Sequence, residues 1–136
     1  AKAWYHRAAG ADWADFSPLL ATKGIAAAFY AARLHLADGD RAAARACFRQ
    51  GLDSALRASA CPHDAQMGPA DRPLPFYLQE LAEVIDMGAQ CANALAHFDL
   101  WDRDPGLFWR QVDVRRFGLA SWARDLEREN ARLRAA

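Results

Sequence analysis

Two groups of residues in this 136-residue chain are of types that could do chemistry. The first is Cys61, Pro62 and His63, followed much later by Cys91 and His97. Thiolate sulfur and imidazole nitrogen are the ligands zinc takes, usually supplied by short paired spacings such as Cys-x2-Cys with a His or Cys pair to follow. A Cys-x-His and a distant Cys-x5-His do not have that form. Cys91 and His97, six apart on a helix, do not share a face either. There is no His-Glu-x-x-His and no Glu-x-x-His for a di-iron bundle. The expectation is therefore no metal and no cofactor.

The second group is a polar stripe, Glu83, Asp86, Gln90, Asn93 and His97, recurring three and four apart. Such a row either lines a concave groove and hydrogen-bonds a peptide or small ligand, or faces water as the polar side of an amphipathic helix. His97 as a base would need a nucleophile to activate. Ser54, Ser59 and Ser121 stand in no nucleophile elbow, and no glycine-rich phosphate loop occurs. The chain is expected to have no catalytic residue and not to be an enzyme.

The elements that must position these groups are helices. Hydrophobic residues make up 53% of the sequence, and 32 positions are alanine, which loses no side-chain entropy in a helix. Ser17-Pro18 reads as a helix start. Ile25, Phe29, Ala32 and Leu36 then recur at helical spacing up to Asp38-Gly39, where glycine can take a left-handed end. Asp40 caps the next helix, with Ala44, Cys47, Phe48, Gly51, Leu52 and Ala55 as its apolar stripe. So short a connection predicts an antiparallel helical hairpin.

Prolines 62, 69, 73 and 75 make residues 59–75 a long irregular stretch. A third helix is expected over about 76–100, with Leu78, Leu81, Ile85, Gly88, Ala92, Leu95 and Phe98 as its buried face. Gly88 on that face predicts a close helix-helix contact. Asp104-Pro105 opens a fourth helix expected to run to the C-terminus, and Trp4, Tyr5, Trp13 and Phe16 predict a short N-terminal helix packed on the bundle. The predicted class is all-α, with antiparallel hairpins in a small bundle or repeat-like array and a long C-terminal helix. The expected division is a helical domain over 1–104 and a C-terminal helix over 105–136.

Residues 25–56 resemble a tetratricopeptide repeat. Gly39-Asp40 stand at the turn, Ala44 five residues after the glycine, Phe48 at the large aromatic position and Gly51-Leu52 near the end. Ala44 and Gly51 would let two helices approach while Phe48 fills the space between them. The first helix departs from the pattern, with Ala28 where Trp is usual, His35 where Tyr is usual, and Leu56 at the terminal proline position. The resemblance implies a helical interaction module.

The C-terminal segment has zipper-like spacing. Val112, Leu119, Leu126 and Leu133 are seven apart, and Trp109, Arg116, Ala123 and Asn130 fall at the other core position. A buried Asn130 would favour a two-stranded, in-register homodimer. The stretch from Trp122 to Leu133 is also similar to coiled-coil pieces of bacterial envelope glycosyltransferases and methyltransferases. The bland alternative is one amphipathic helix lying on its own domain. Trp109 and Trp122, on similar sides of that helix, could anchor a partner, since aromatic residues are enriched at binding hot spots.

Charge excludes one class of partner. Seventeen basic and seventeen acidic residues cancel, so the broad positive field of non-specific nucleic-acid binding is missing. No apolar run approaches a membrane span, no signal-peptide pattern opens the sequence, and three irregularly spaced cysteines make no disulfide framework. Cys47 and Cys91 fall on apolar helix faces, where a thiol behaves as a small hydrophobe. A cytoplasmic setting is expected, in a bacterium given the alanine and arginine bias.

Together these readings predict a protein-protein interaction or scaffold module. Its expected contact residues are Trp109, Trp122, Leu119, Leu126, Asn130 and Leu133, with Asp86, Gln90, Asn93 and His97 of the polar stripe. The alternative is a non-catalytic accessory or regulatory region of a larger bacterial enzyme, such as an envelope-glycan glycosyltransferase or methyltransferase.

Overall fold

The computed structural model describes residues 1–12, 20–60 and 74–113 and the helical positions 128, 131, 132 and 135; for 74–81 it describes the backbone only. Six helices occur among the main described stretches: α1 (Lys2–Ala9), α2 (Ala21–Ala37), α3 (Arg41–Ala60), α4 (Leu74–Ala96), α5 (Leu100–Arg103) and α6 (Pro105–Val112). No strand occurs among the described residues, and the fold is all-α.

The helix ends follow local chemistry. Between α2 and α3, Gly39 takes φ 79°, a left-handed turn that an L side chain would strain. The Ala43 N–H then donates to Asp40 Oδ1 at 3.0 Å, satisfying a donor that the first turn of α3 leaves open. The same device starts α6, where the Leu107 N–H donates to Asp104 Oδ1 at 2.9 Å and Pro105 occupies the first turn. Pro75 is accommodated inside the first turn of α4, where its missing N–H is not needed, so that helix begins at Leu74 rather than Phe76. It ends at Ala96 rather than Leu100, and Leu100 and Trp101 N–H bond back to His97 and Phe98 carbonyls in a tight turn.

Small residues bring the helices together. Against α3, Gly51 meets Ala28 of α2 and Cys91 of α4, and Gly88 of α4 meets Ala55. A methyl added at Gly88 would lie 2.5 Å from the Ala55 Cβ, so glycine is what permits that approach. Ala44, Phe48 and Gly51 are buried at the positions expected of them. Phe48 packs edge-to-face on Phe29, Phe98 and Phe108 with ring centroids 5.7, 6.4 and 6.5 Å away.

Two expectations are corrected. The helix opening at Pro105 ends at Val112, because Asp113 turns to extended backbone with ψ 91°. The β-branched Val112 and Asp113 propagate a helix poorly, and Val112 is drawn into the core at 1% exposure. A single continuous helix over 105–136 is thus not formed. Phe108 and Val112 share one core with Ile25 and Phe48.

The buried face of α4 is the second correction. Ile85, expected inside, is 45% exposed, whereas Val84, Asp86, Gln90 and Cys91 are buried. The cause is that α4 packs against both α3 and α2, so two of its faces are covered and the solvent face is narrow. No described helix is long and apolar enough to cross a membrane.

Candidate functional site

The two covered faces of α4 differ. The face towards α3 carries the small contacts at Gly88 and Cys91. The other borders a groove against α2, with a volume of about 310 Å³. The two helices line it with matched spacing: Ala26, Phe29, Tyr30 and Arg33 from α2, and Glu83, Asp86, Met87 and Gln90 from α4. Each set is an i, i+3, i+4, i+7 row, so each presents one continuous helical stripe.

Asp86 is 4% exposed and Gln90 6%, so part of the expected polar stripe lines a concavity instead of facing water. Tyr30 forms the rim; its ring lies 5.8 Å from that of Tyr5 and stays 46% exposed. Phe29 is fixed from behind by Phe48 and by Trp109, whose ring centroid is 6.1 Å away. The Arg33 guanidinium lies over the Trp109 ring at 5.1 Å, which holds this cation at the α6 end of the groove. The result is an aromatic wall on α2 facing two carboxylates, an amide and a thioether on α4. None of the eight described lining side chains is a serine, cysteine or histidine, and the groove has the parts of a binding surface.

The other expected contact residues fall elsewhere. Asn93 is committed to the fold, its Nδ2 donating to the Gln111 carbonyl at 3.1 Å and tying α4 to α6. His97 lies half-buried just past the end of α4 and does not line the groove. Trp109 packs internally against Phe29, Trp101 and Phe108. Leu119, Trp122, Leu126, Asn130 and Leu133 lie outside the described residues, as do Cys61 and His63.

Sequence spacing missed one constellation altogether. His6 on α1, His35 near the end of α2 and Cys47 on α3 bring one nitrogen, one nitrogen and one sulfur within 4.8 Å of one another. The Nε2 atoms of His6 and His35 are 2.8 Å apart. His35 Nδ1 faces the Asp40 carboxylate at 3.8 Å. Burial, and then the neighbouring Asp40 charge, push the Cys47 thiol upward. The end of α1 is also pinned by an ion pair between Lys2 and Asp38, and Lys2 holds the Asp38 carboxyl below the ordinary carboxylate range. The three residues are 29 and 12 positions apart and come from three helices, so no local motif marks them. The one hint is His35 standing where a tetratricopeptide helix usually has a tyrosine.

No protein-family model, no curated protein and no solved structure matches the chain.

Proposed function

We propose that this chain is a non-catalytic interaction module that receives a short segment of a partner polypeptide in the groove between α2 and α4. The carrying observation is the burial of Asp86 and Gln90 at a concavity whose opposite wall is Phe29 and Tyr30. A carboxylate and an amide kept at a cleft, with an aromatic ring left half in solvent at its rim, suit a segment that offers hydrogen-bond donors and an apolar side chain. Among the described lining residues Glu83 and Asp86 stand with the cation Arg33, itself engaged by Trp109, and make that part of the lining acidic. The preferred segment therefore pairs a lysine or arginine with an adjacent aromatic or aliphatic residue. A volume of about 310 Å³ accommodates one or two side chains of such a peptide, not a bulky cofactor.

A displayed random-peptide library selected on the full chain tests this. Enriched sequences should share a basic residue beside an apolar one and should lose tenfold or more in affinity for Tyr30→Ala and Glu83→Gln, read by calorimetry. Peptides that bind both variants as tightly as the parent would place recognition elsewhere and sink the proposal.

A further inference from the structure

We propose that His6, His35 and Cys47 form a binding site for one Zn²⁺ ion, which clasps α1 onto the α2–α3 pair. Two imidazole nitrogens and a sulfur on three separate helices converge within 4.8 Å, and zinc takes just these ligand types. The burial is graded: Cys47 is 3% exposed, the His35 side chain 13%, and His6 exposed. The ion would thus have a buried thiolate at its back, with a water molecule as its fourth ligand on the His6 side.

A second observation points to a metal independently of the convergence. His35 Nδ1 is buried without a hydrogen-bond partner among the described residues, and the Asp40 carboxylate stands 3.8 Å from it. A metal-bound histidine donates its second nitrogen's proton to a carboxylate, and here that carboxylate stands 3.8 Å away, one small side-chain shift from accepting it. Asp40 reaches this position because it is already held as the N-cap of α3. The charges close as well: Cys47 thiolate and Asp40 together balance the dication, and both imidazoles bind as neutral ligands.

The changes on binding can be stated atom by atom. The two Nε2 atoms, 2.8 Å apart, are at hydrogen-bond distance, which takes one ring as donor and the other as acceptor. To ligate, each ring presents an Nε2 lone pair: the ring that donates the shared hydrogen changes to its Nδ1–H tautomer, which the accepting ring already has, and the His35 Nδ1–H then faces Asp40. The Cys47 thiol releases its proton to water as the sulfur-metal bond forms. Tetrahedral bonds of about 2.0 Å to nitrogen set the two Nε2 atoms roughly 3.3 Å apart, so the rings part by about 0.5 Å. The exposed His6 side chain can supply that movement without disturbing the core.

The test is Co²⁺ titration of the full chain under reducing conditions, followed by competition with Zn²⁺. Cobalt reports the site directly, because tetrahedral coordination gives strong visible bands and a bound thiolate adds a near-ultraviolet charge-transfer band. We expect one equivalent to produce both, and Zn²⁺ to bleach them. Cys47→Ser should remove the charge-transfer band. His35→Gln and His6→Gln should each weaken Co²⁺ at least tenfold with the helical circular dichroism retained. His6 is exposed, so its variant is informative even if a buried substitution unfolds the chain. Cys61→Ser and Cys91→Ser should leave the spectrum intact. Only weak octahedral bands, or a thiolate band that survives Cys47→Ser and disappears with Cys61→Ser, would overturn the assignment.

Discussion

Cys47 and Cys91 are both buried free thiols on helix faces that read as apolar, yet they stand in opposite surroundings. Cys91, at 0% exposure, lies in the seam between α3 and α4, and a methyl added at Gly51 would stand 2.7 Å from its sulfur. Burial alone pushes its thiol up to about 12. Cys47, at 3%, has two imidazole nitrogens within 4.8 Å and Asp40 close enough to influence it. One sulfur is a filler of space and the other a member of a polar group. Burial does not distinguish them; only what stands around each sulfur does.

The sharpest way to break this comparison is at Gly51. Gly51→Ala places a methyl against the Cys91 sulfur, and overpacking of this kind costs about 1–3 kcal/mol, against roughly 1 kcal/mol gained from alanine in a helix. We expect a net loss of about 1 kcal/mol in urea denaturation. Adding Cys91→Ala should recover at least half of it, since the clash needs both atoms. A double variant no more stable than Gly51→Ala would show that Cys91 does not close the seam. Cys47→Ala in the same background should recover nothing.

Alkaline pH gives the next effect. A thiol whose folded pKa lies above its unfolded value favours the folded state while it stays protonated. That contribution is complete below about pH 9 and is lost as pH rises towards 12, because the unfolded chain ionises first. Stability should therefore fall with pH across this window by about 1 kcal/mol per unit through Cys91. Cys91→Ala should flatten the slope by that amount. Equal slopes in the two proteins would mean that the sulfur is more open to water than its seam implies.

Much of this framework can be read in the sequence, because its signals are local. Asp40 and Asp104 cap where short polar side chains precede helical runs, Gly39 turns where a left-handed residue is needed, and Gly88 makes the close contact its place implies. The face of α4 is not legible. Val84, Ile85, Met87 and Cys91 surround that helix with apolar groups, so spacing alone permits several stripes. A helix wedged between two others also buries Asp86 and Gln90. The break at Asp113 depends on Val112 being pulled inward, a tertiary effect. His6, His35 and Cys47 meet only because α1 docks beside the end of α2, which no spacing in a single segment encodes.

The smallest effect compares the two thiols with one substitution, in the presence of a chelator. Serine replaces sulfur by a smaller, more polar atom whose hydroxyl must find a partner or cost about 1–3 kcal/mol. At position 91 the apolar seam leaves the hydroxyl its own helix carbonyl four residues back, a weak and bending interaction. At position 47 the nitrogens of His6 and His35 are within reach of a modest side-chain shift, and the lone pair released when their mutual contact opens can accept the proton. Cys91→Ser should therefore be less stable than Cys47→Ser by about 1 kcal/mol, the net worth of one hydrogen bond. Denaturant midpoints with unchanged slopes would measure that difference cleanly. Equal losses would mean that the imidazoles do not turn towards position 47 at all, and the polar character of its surroundings would then be nominal.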